Sequence, residues 1–463
     1  MAVVLLFSGI GPLLSQAYFV VQSIDISGNK WTKQYIVEKE LDFMPGDTIL
    51  LDKLVTRFEN NKNRLLNTGL FNQLDLNITN WDTELKTASV SIQIVENWFW
   101  YPSPIFELAD RSFNEWWYEH NASLKRWNLG IRFMHINMTG NQDKLKFNFN
   151  AGFTQKYEVD YIFPYLNKEN SIGANFNLLY VTYKEIAFET RDNKLNFIRL
   201  GDQNLLNRFR VSFGLNYRKN QSYFHSMVLE YNHKSILDTI RTHLNPNYLT
   251  PGKDKLSHLT LDYKFLFTNV DKKIYPRSGY RYLFYIKKEG GILNNEFNYF
   301  QLTAAVEKQF RITDNYSSGA KLKVQKTINL GEEIPYYYMK GMGYFDDVIS
   351  GYQLYVIDGL DYIYLQSTQK FQILDIEYDL NKYMPFRQFR LFPLQLFIGV
   401  HGDLGYVGDN RFSNYNSLNN QILYGAALSL DVLVYHNYFY SVEFAINHLG
   451  ETGIFLKGVN TFE

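Results

Sequence analysis

The sequence predicts a small α+β domain followed by an all-β, 16-stranded antiparallel transmembrane barrel. Three observations carry that expectation. Residues 19 to 97 interleave segments of strand period and helix period. The rest of the chain alternates apolar and polar residues with period two, broken by polar turns. Aromatic residues make up 17% of the chain, with 36 Tyr and 36 Phe, the supply that girdles at two membrane interfaces demand.

At 463 residues the chain exceeds one ordinary compact core, so two units are expected. No internal run approaches the ~20 apolar residues of a spanning helix. A chain that crosses lipid without such helices must cross as a closed set of strands, because only then are its backbone groups satisfied. The formal net charge is +0, so no dominant nucleic-acid surface is expected. The absence of cysteine excludes disulfides, thiolate metal sites and cysteine nucleophiles.

Residues 1–17 carry no charge, hold an apolar run at Val3 to Phe7 and end on Ser15-Gln16-Ala17. They read as a secretory signal cleaved near Ala17, although the basic start of such a signal is missing. A short N-terminal anchor is the alternative.

The small domain is expected at 18–98. Val20, Gln22, Ile24 and Ile26 open a strand that stops at Ser27-Gly28-Asn29. Thr32 can cap a helix through about Asp42, and Pro45-Gly46-Asp47 breaks it. A second helix, about Leu50 to Leu66, places Leu51, Leu54, Val55, Phe58, Leu65 and Leu66 on one face. Strands follow at Leu74 to Ile78 and Ala88 to Val95, so the order is β-α-α-β-β.

The barrel is expected at 99–463. Leu145, Phe147 and Phe149 interleave with Lys146, Asn148 and Asn150. Leu259, Leu261 and Tyr263 do so with Thr260 and Asp262, and Val442, Phe444 and Ile446 with Ser441, Glu443 and Asn447. One face suits lipid and the other a watery lumen. A soluble β-sandwich alternates too, with its polar face outward, and pattern alone does not separate the two. Sixteen strands are expected at 104–110, 144–154, 156–165, 171–181, 185–198, 207–218, 223–235, 256–270, 279–288, 296–310, 316–327, 361–377, 393–403, 421–434, 438–447 and 453–462. Long loops are expected at 111–143, 236–255, 328–360 and 404–420.

Several of these residues carry a family resemblance. Ile24-x-Ile26-x-Gly28-Asn29, Pro45-Gly46-Asp47, Leu66-x-x-Gly69-x-Phe71 and Ile94-Val95-Glu96-Asn97 together resemble a POTRA domain. The whole arrangement is similar to the BamA/TamA superfamily of outer-membrane insertases and translocases, and specifically to a single-POTRA bacterial paralogue. Tyr275-Pro276-Arg277-Ser278-Gly279-Tyr280 resembles the family's Pro-x-x-Gly-Tyr turn between strands eight and nine. Phe163-Pro164-Tyr165 resembles its aromatic-Pro end of strand three. Ile349-Ser350-Gly351-Tyr352 stands where the family has a sixth-loop Val-Arg-Gly-Phe/Tyr motif, and Gly402-Asp403-x-Gly405 resembles its thirteenth-strand motif.

Ser350 replaces the family's Arg, and Lys370 replaces its twelfth-strand acid. A buried carboxylate needs a partner, so Asp403 is expected to pair with Lys370 or to be hydrated in the lumen.

The resemblance implies a noncatalytic protein of a Gram-negative outer membrane, with the POTRA domain in the periplasm and no cofactor or metal. Its implied partners are unfolded outer-membrane or secreted clients, periplasmic or lipoprotein accessory subunits, and outer-membrane lipid. Client strands are then expected to add to a POTRA sheet edge formed by Leu74, Leu76, Ile78, Val90, Ile92 and Ile94. They are then expected to pair with, and be passed through or beside, a seam between the first and last barrel strands, at Phe106, Leu456 and Gly458. Gly458 is either a weak point in strand pairing or a curvature kink.

Two other classes remain. A passive channel or structural surface barrel would share the fold. An enzyme would need a catalytic constellation, but the sequence has neither Gly-x-Ser-x-Gly nor His-Glu-x-x-His. His258 and His401 read as lumen-lining residues.

Overall fold

The computed structural model describes residues 17–167, 171–219, 222–272, 274–293, 297–344, 347–380, 391–409, 415–434 and 438–460. All but the last residue of the expected leader, 1–17, lies outside them. The chain divides into two units, Met1–Tyr101 with Met134–Leu145, and Pro102–Phe133 with Lys146–Glu463.

The first unit contains β1 (Tyr18–Ser27), α1 (Gln34–Glu38), β2 (Thr48–Leu50), α2 (Leu54–Asn67), β3 (Phe71–Asp82) and β4 (Thr87–Glu96). Its sheet runs β2-β1-β4-β3, with β4 parallel to β1 and antiparallel to β3. Phe19, Val21, Ile36, Val37, Leu65, Val90 and Ile92 form its buried core. Gly28 ends β1 at φ 89°, and a Cβ there would sit 2.0 Å from the Ile94 carbonyl oxygen. Only glycine fits this turn.

The helices are shorter than the sequence suggests. Lys33, not Thr32, stands at the α1 N-cap, and it makes no side-chain cap. Thr32 is buried, and its N–H donates to the Glu96 carboxylate at 2.6 Å. In α2 the apolar stripe is only partly covered. Leu65 is buried while Val55 is 68% exposed.

After the first sheet come β5 (Trp100–Leu108), α3 (Phe113–Tyr118), β6 (Trp127–His135), β7 (Lys144–Gly152), β8 (Thr154–Phe163) and β9 (Ile172–Tyr183). A two-stranded ribbon follows, β10 (Glu185–Arg191) and β11 (Lys194–Arg199). Then come β12 (Leu206–Arg218), β13 (Tyr223–Ile236), β14 (Lys255–Val270), β15 (Gly279–Gly290), β16 (Asn298–Arg311) and β17 (Tyr316–Asn329). The long sixth loop carries two short strands, β18 (Lys340–Met342) and β19 (Ile357–Asp358). The chain finishes with β20 (Asp361–Asp379), β21 (Leu391–Gly408), β22 (Ile422–Val434), β23 (Tyr438–Asn447) and β24 (Thr452–Asn460).

One antiparallel sheet of 16 strands runs from β24 back to β5 and leaves out β10, β11, β18 and β19. Its faces separate barrel from sandwich. Val442, Phe444 and Ile446 point outward at 46%, 54% and 44% exposure, while Ser441, Glu443 and Asn447 are buried on the inner face. A soluble sandwich would show the reverse. An apolar outside with a polar inside is the arrangement of a barrel in lipid.

Sixteen strands are expected and sixteen stand in the sheet among the described residues, but through two compensating differences. The expected strand at 185–198 is the β10–β11 ribbon, outside the barrel sheet. Asp192 and Asn193 have φ of 51° and 58°, the turn geometry of a tight hairpin. Conversely, β6 lies in what the sequence suggested was a loop at 111–143. Its Gly130 masks the strand pattern, yet a Cβ there would come within 2.1 Å of the Phe149 carbonyl oxygen on β7. A strand glycine marks such close approach. With β6 counted, Phe163-Pro164 closes the fourth barrel strand and not the third, while the Tyr275–Tyr280 turn stays between the eighth and ninth.

These placements are directly testable. Leu129→Pro removes a backbone donor from an interior strand and is expected to abolish the heat-modifiable folded form on gels. Asn196→Pro, in the ribbon, should leave that form intact. The opposite pattern would return 127–135 to a loop.

Candidate functional site

Three features of the fold can do chemistry on a polypeptide: a sheet edge in the first unit, an anchored sixth loop, and the two end strands of the barrel sheet.

In the first unit β3 is an edge strand. Leu74 is buried beneath it, while Leu76 and Ile78 are half-buried and line a groove of about 530 Å³ with Leu54, Val55 and Phe58 of α2. Val90, Ile92 and Ile94 do not lie at an edge. They belong to β4, the strand between β1 and β3, and their side chains are core. Sequence alternation identified them as strand residues but could not order the strands.

The sixth loop is held by a buried carboxylate. Asp403, on β21, is 3% exposed and accepts two hydrogen bonds at its Oδ2, from the Ser350 N–H at 2.9 Å and the Ser350 hydroxyl at 2.8 Å. The expected Asp403–Lys370 pairing is replaced. Lys370 donates to the Pro276 carbonyl at 2.6 Å and sits 4.2 Å above the Tyr275 ring. Tyr275 in turn donates to Asp431 at 2.6 Å and packs on Phe397. The Pro-x-x-Gly-Tyr turn therefore takes up the lysine, and serine takes over the loop anchor.

Glycines make the seat for that anchor. Gly405 leaves room for Ile349, whose Cδ1 would lie 2.4 Å from a Cβ. At Gly425 a Cβ would meet the Ser350 carbonyl oxygen at 1.8 Å. Asn447 donates to the Gly351 carbonyl at 3.0 Å, and Tyr352 is hydrogen-bonded to His448. Beyond the motif, Gln353 donates to Glu443 at 3.3 Å, and Glu443 also binds Lys457 of β24 at 2.7 Å. Leu354 packs against the cluster of Ala427, Ala445 and Phe455, the last of these on the same strand. The loop thus braces the inner face of the last strand.

Among the described residues, the end strands β5 and β24 are not neighbours in the sheet order. The Asn447 N–H donates to Glu451 O beside β24, which fixes odd residues of β24 as those facing β23. Even residues therefore turn their backbone groups to the seam. Asn114 of α3 meets them there: its amide donates to the Leu456 carbonyl at 3.1 Å and accepts from the Leu456 N–H at 2.9 Å. The Tyr118 hydroxyl donates to the Ile454 carbonyl at 3.1 Å. Sequence reading missed both residues, because a loop residue that imitates a strand has no periodic signal.

On β5 two bonds give the parity. The Ala109 N–H donates to Arg126 O, and the Ile136 N–H to Phe99 O. Odd residues therefore face β6, and Pro102, Pro104 and Phe106 turn their backbone nitrogens to the seam. Two of these have no N–H to offer, the situation in which proline is tolerated in a sheet. Phe106 points outward at 65% exposure, and Leu456 does so at 41%. Gly458 lies on the same edge and continues the ladder to Tyr440. A Cβ there would meet Tyr440 no closer than 3.6 Å, so close packing does not require glycine.

Ser350→Ala removes one bond to a buried charge, worth about 1.5–3 kcal/mol. Faster amide exchange at 349–353 in an otherwise folded barrel is expected. Gly425→Ala should unseat the loop tip more completely. Unchanged exchange in both variants would show that Asp403 is not the anchor.

The POTRA family model, described as a surface antigen variable number repeat, matches residues 19–97. The Omp85 superfamily domain matches residues 137–363. No curated protein sequence matches. Among solved structures, BamA from Haemophilus ducreyi lacking POTRA domains 1–3 is similar with a TM-score of 0.63 at 14% identity, covering 95% of this chain and 84% of that one. CdiB from Escherichia coli is similar with a TM-score of 0.56 at 10% identity, covering 96% of this chain and 76% of that one. These structural likenesses are likenesses of fold. A POTRA domain at 19–97 and an Omp85 superfamily domain at 137–363 together place the chain in the Omp85 superfamily, the group that inserts or translocates proteins at the outer membrane.

Proposed function

We propose that this chain is a noncatalytic factor that receives unfolded client segments at the β3 edge of its POTRA domain and passes them to the seam between β5 and β24. On this reading the barrel sits in a Gram-negative outer membrane with the POTRA domain in the periplasm. The observation that carries it is the seam itself: an end strand whose outer edge, at Ile454 and Leu456, is met by side chains in place of a neighbouring strand. A barrel built only to be a stable wall has no use for such a joint, since complete pairing is what removes sheet edges.

The β3 edge and its groove supply backbone groups for an added strand and an apolar surface for its side chains. That mode of recognition tolerates many sequences, as a receptor for several clients needs. A passive channel is less well supported, because the sixth loop is seated against the lumen wall at Asp403, Gly405 and Gly425.

The reading is tested in liposomes with the purified protein and a urea-unfolded outer-membrane barrel as client. Prolines placed along 75–78 of β3 should reduce client crosslinking to the first unit and leave the barrel folded. Oxidising a cysteine pair across the seam, Phe106→Cys with Leu456→Cys and their register neighbours, should stop client insertion, and reduction should restore it. Full insertion by a verified oxidised pair would refute the seam reading.

A further inference from the structure

We propose that the barrel lumen holds a binding site for a small, soluble, multiply charged oxyanion of the phosphate class, in a cavity between the sixth loop and the inner wall. The proposal stands apart from the client reading above.

The cavity has a volume of about 570 Å³ and is lined by inner-face residues of β12 to β17, together with Tyr337, Tyr338 and Lys340 of the sixth loop. A space of this size accepts a small ligand. Positive charge dominates it. Arg208, Lys234, Lys264, Lys287, Lys321 and Lys323 come from the wall and Lys340 from the loop, against Glu230, Glu289 and Asp347. Each of those carboxylates already holds a cation. Glu230 meets Arg210 at 3.5 Å, Glu289 pairs with Lys287, and Asp347 pairs with Lys323. Asp262, on the same face of β14, is hydrogen-bonded by Tyr285. Among the described residues no salt bridge engages Arg208, Lys234 or Lys264.

Two positions concentrate the surplus. Arg208 of β12 stands in register opposite Lys234 of β13, and like charges directly opposite each other destabilise a sheet. Lys234 is 2% exposed, and its ammonium donates to the Tyr338 hydroxyl at 2.5 Å. The Arg208 Nε is buried and meets no hydrogen-bond acceptor among the described residues. A buried donor without an acceptor is costly. An oxyanion seated against Arg208 and Lys234 satisfies that donor and offsets the like-charge pair.

The donors set the ligand class. Six of the seven cations are lysines, point charges that suit a phosphate, whereas the planar carboxylate is matched by the arginine fork. The phenols of Tyr299 and Tyr337 line the same space and supply further O–H donors. A cleft of one sign of charge with protein walls focuses its field, so an ion with several negative charges gains over a monovalent one. Lipid contacts the opposite face of these strands, where Phe213, Leu229 and Tyr282 point outward, so the ligand comes from solution. Because Tyr338 and Lys340 belong to the sixth loop, a bound oxyanion ties that loop to the wall.

The test uses the full chain purified in a neutral detergent, with sodium triphosphate as the probe at fixed ionic strength. Calorimetry should show saturable binding that chloride does not reproduce, and amide exchange at 337–342 should slow several-fold. Arg208→Gln and Lys264→Gln should each weaken binding about tenfold, the loss of one hydrogen bond to a charged group, with the heat-modifiable folded form retained. Lys156→Gln removes an inner-wall cation that pairs with Glu158 at 2.7 Å outside the cavity, and it should keep the parent affinity. No saturable binding, or an equal loss in Lys156→Gln, would overturn the proposal, the second because it marks diffuse lumen charge in place of a site. Slowed exchange with phosphatidylglycerol in place of triphosphate would overturn the soluble source. Client insertion, measured separately, is untouched by any of these outcomes.

Discussion

Lipid offers a strand no water, so every backbone group in the barrel wall must find a partner in the protein. The two end strands are where that requirement is hardest to meet, and much of this molecule is arranged around it. Between β23 and β24 the ladder is continuous from Tyr438↔Asn460 to Ile446↔Thr452. Across the seam, β24 is held by three side-chain hydrogen bonds from α3. At ~0.5–1.5 kcal/mol each these come to roughly 1.5–4.5 kcal/mol. Breaking that hold costs little. A full ladder would raise the cost several-fold.

The sixth loop bears on the same joint from inside. Its seat depends on a buried carboxylate that would be costly to leave without donors. Where the family resemblance leads one to expect a charged arginine at this point, this chain uses the neutral Ser350, which approaches closely because Gly425 and Gly405 give it and Ile349 room. The same loop reaches the inner face of β24 through Gln353, Glu443 and Lys457, and the helix on its outer edge through Arg111. One loop thus touches both holds on the last strand. Lys370, freed from the loop, is taken up by the turn at Tyr275 and Pro276.

The fold was legible wherever side-chain period decides structure. Alternation at 441–447 showed which residues face out, because lipid and lumen impose opposite chemistry on successive positions. It failed where period and sheet membership part. The β10–β11 ribbon alternates without joining the wall, and Gly130 hides a strand that does join it. The candidate site was legible in its motif positions but not in its pairings. The place of Ser350 and Asp403 could be read, whereas the destination of Lys370 depends on a turn 94 residues away. Strand order in the POTRA sheet was likewise hidden, which is why Val90, Ile92 and Ile94 looked like edge residues. Pro102 and Pro104 did carry a readable edge signal, while Asn114 carried none.

The central claim is that β24 parts from the β5 side of the barrel when a client is present. The chain has no native cysteine, so spin labels at Phe106→Cys and Leu456→Cys report on the seam alone. Both residues point outward and tolerate a label. The account predicts a single short distance in the resting barrel and a second, longer population when an unfolded client is added. One unchanged distance distribution during active insertion would contradict it.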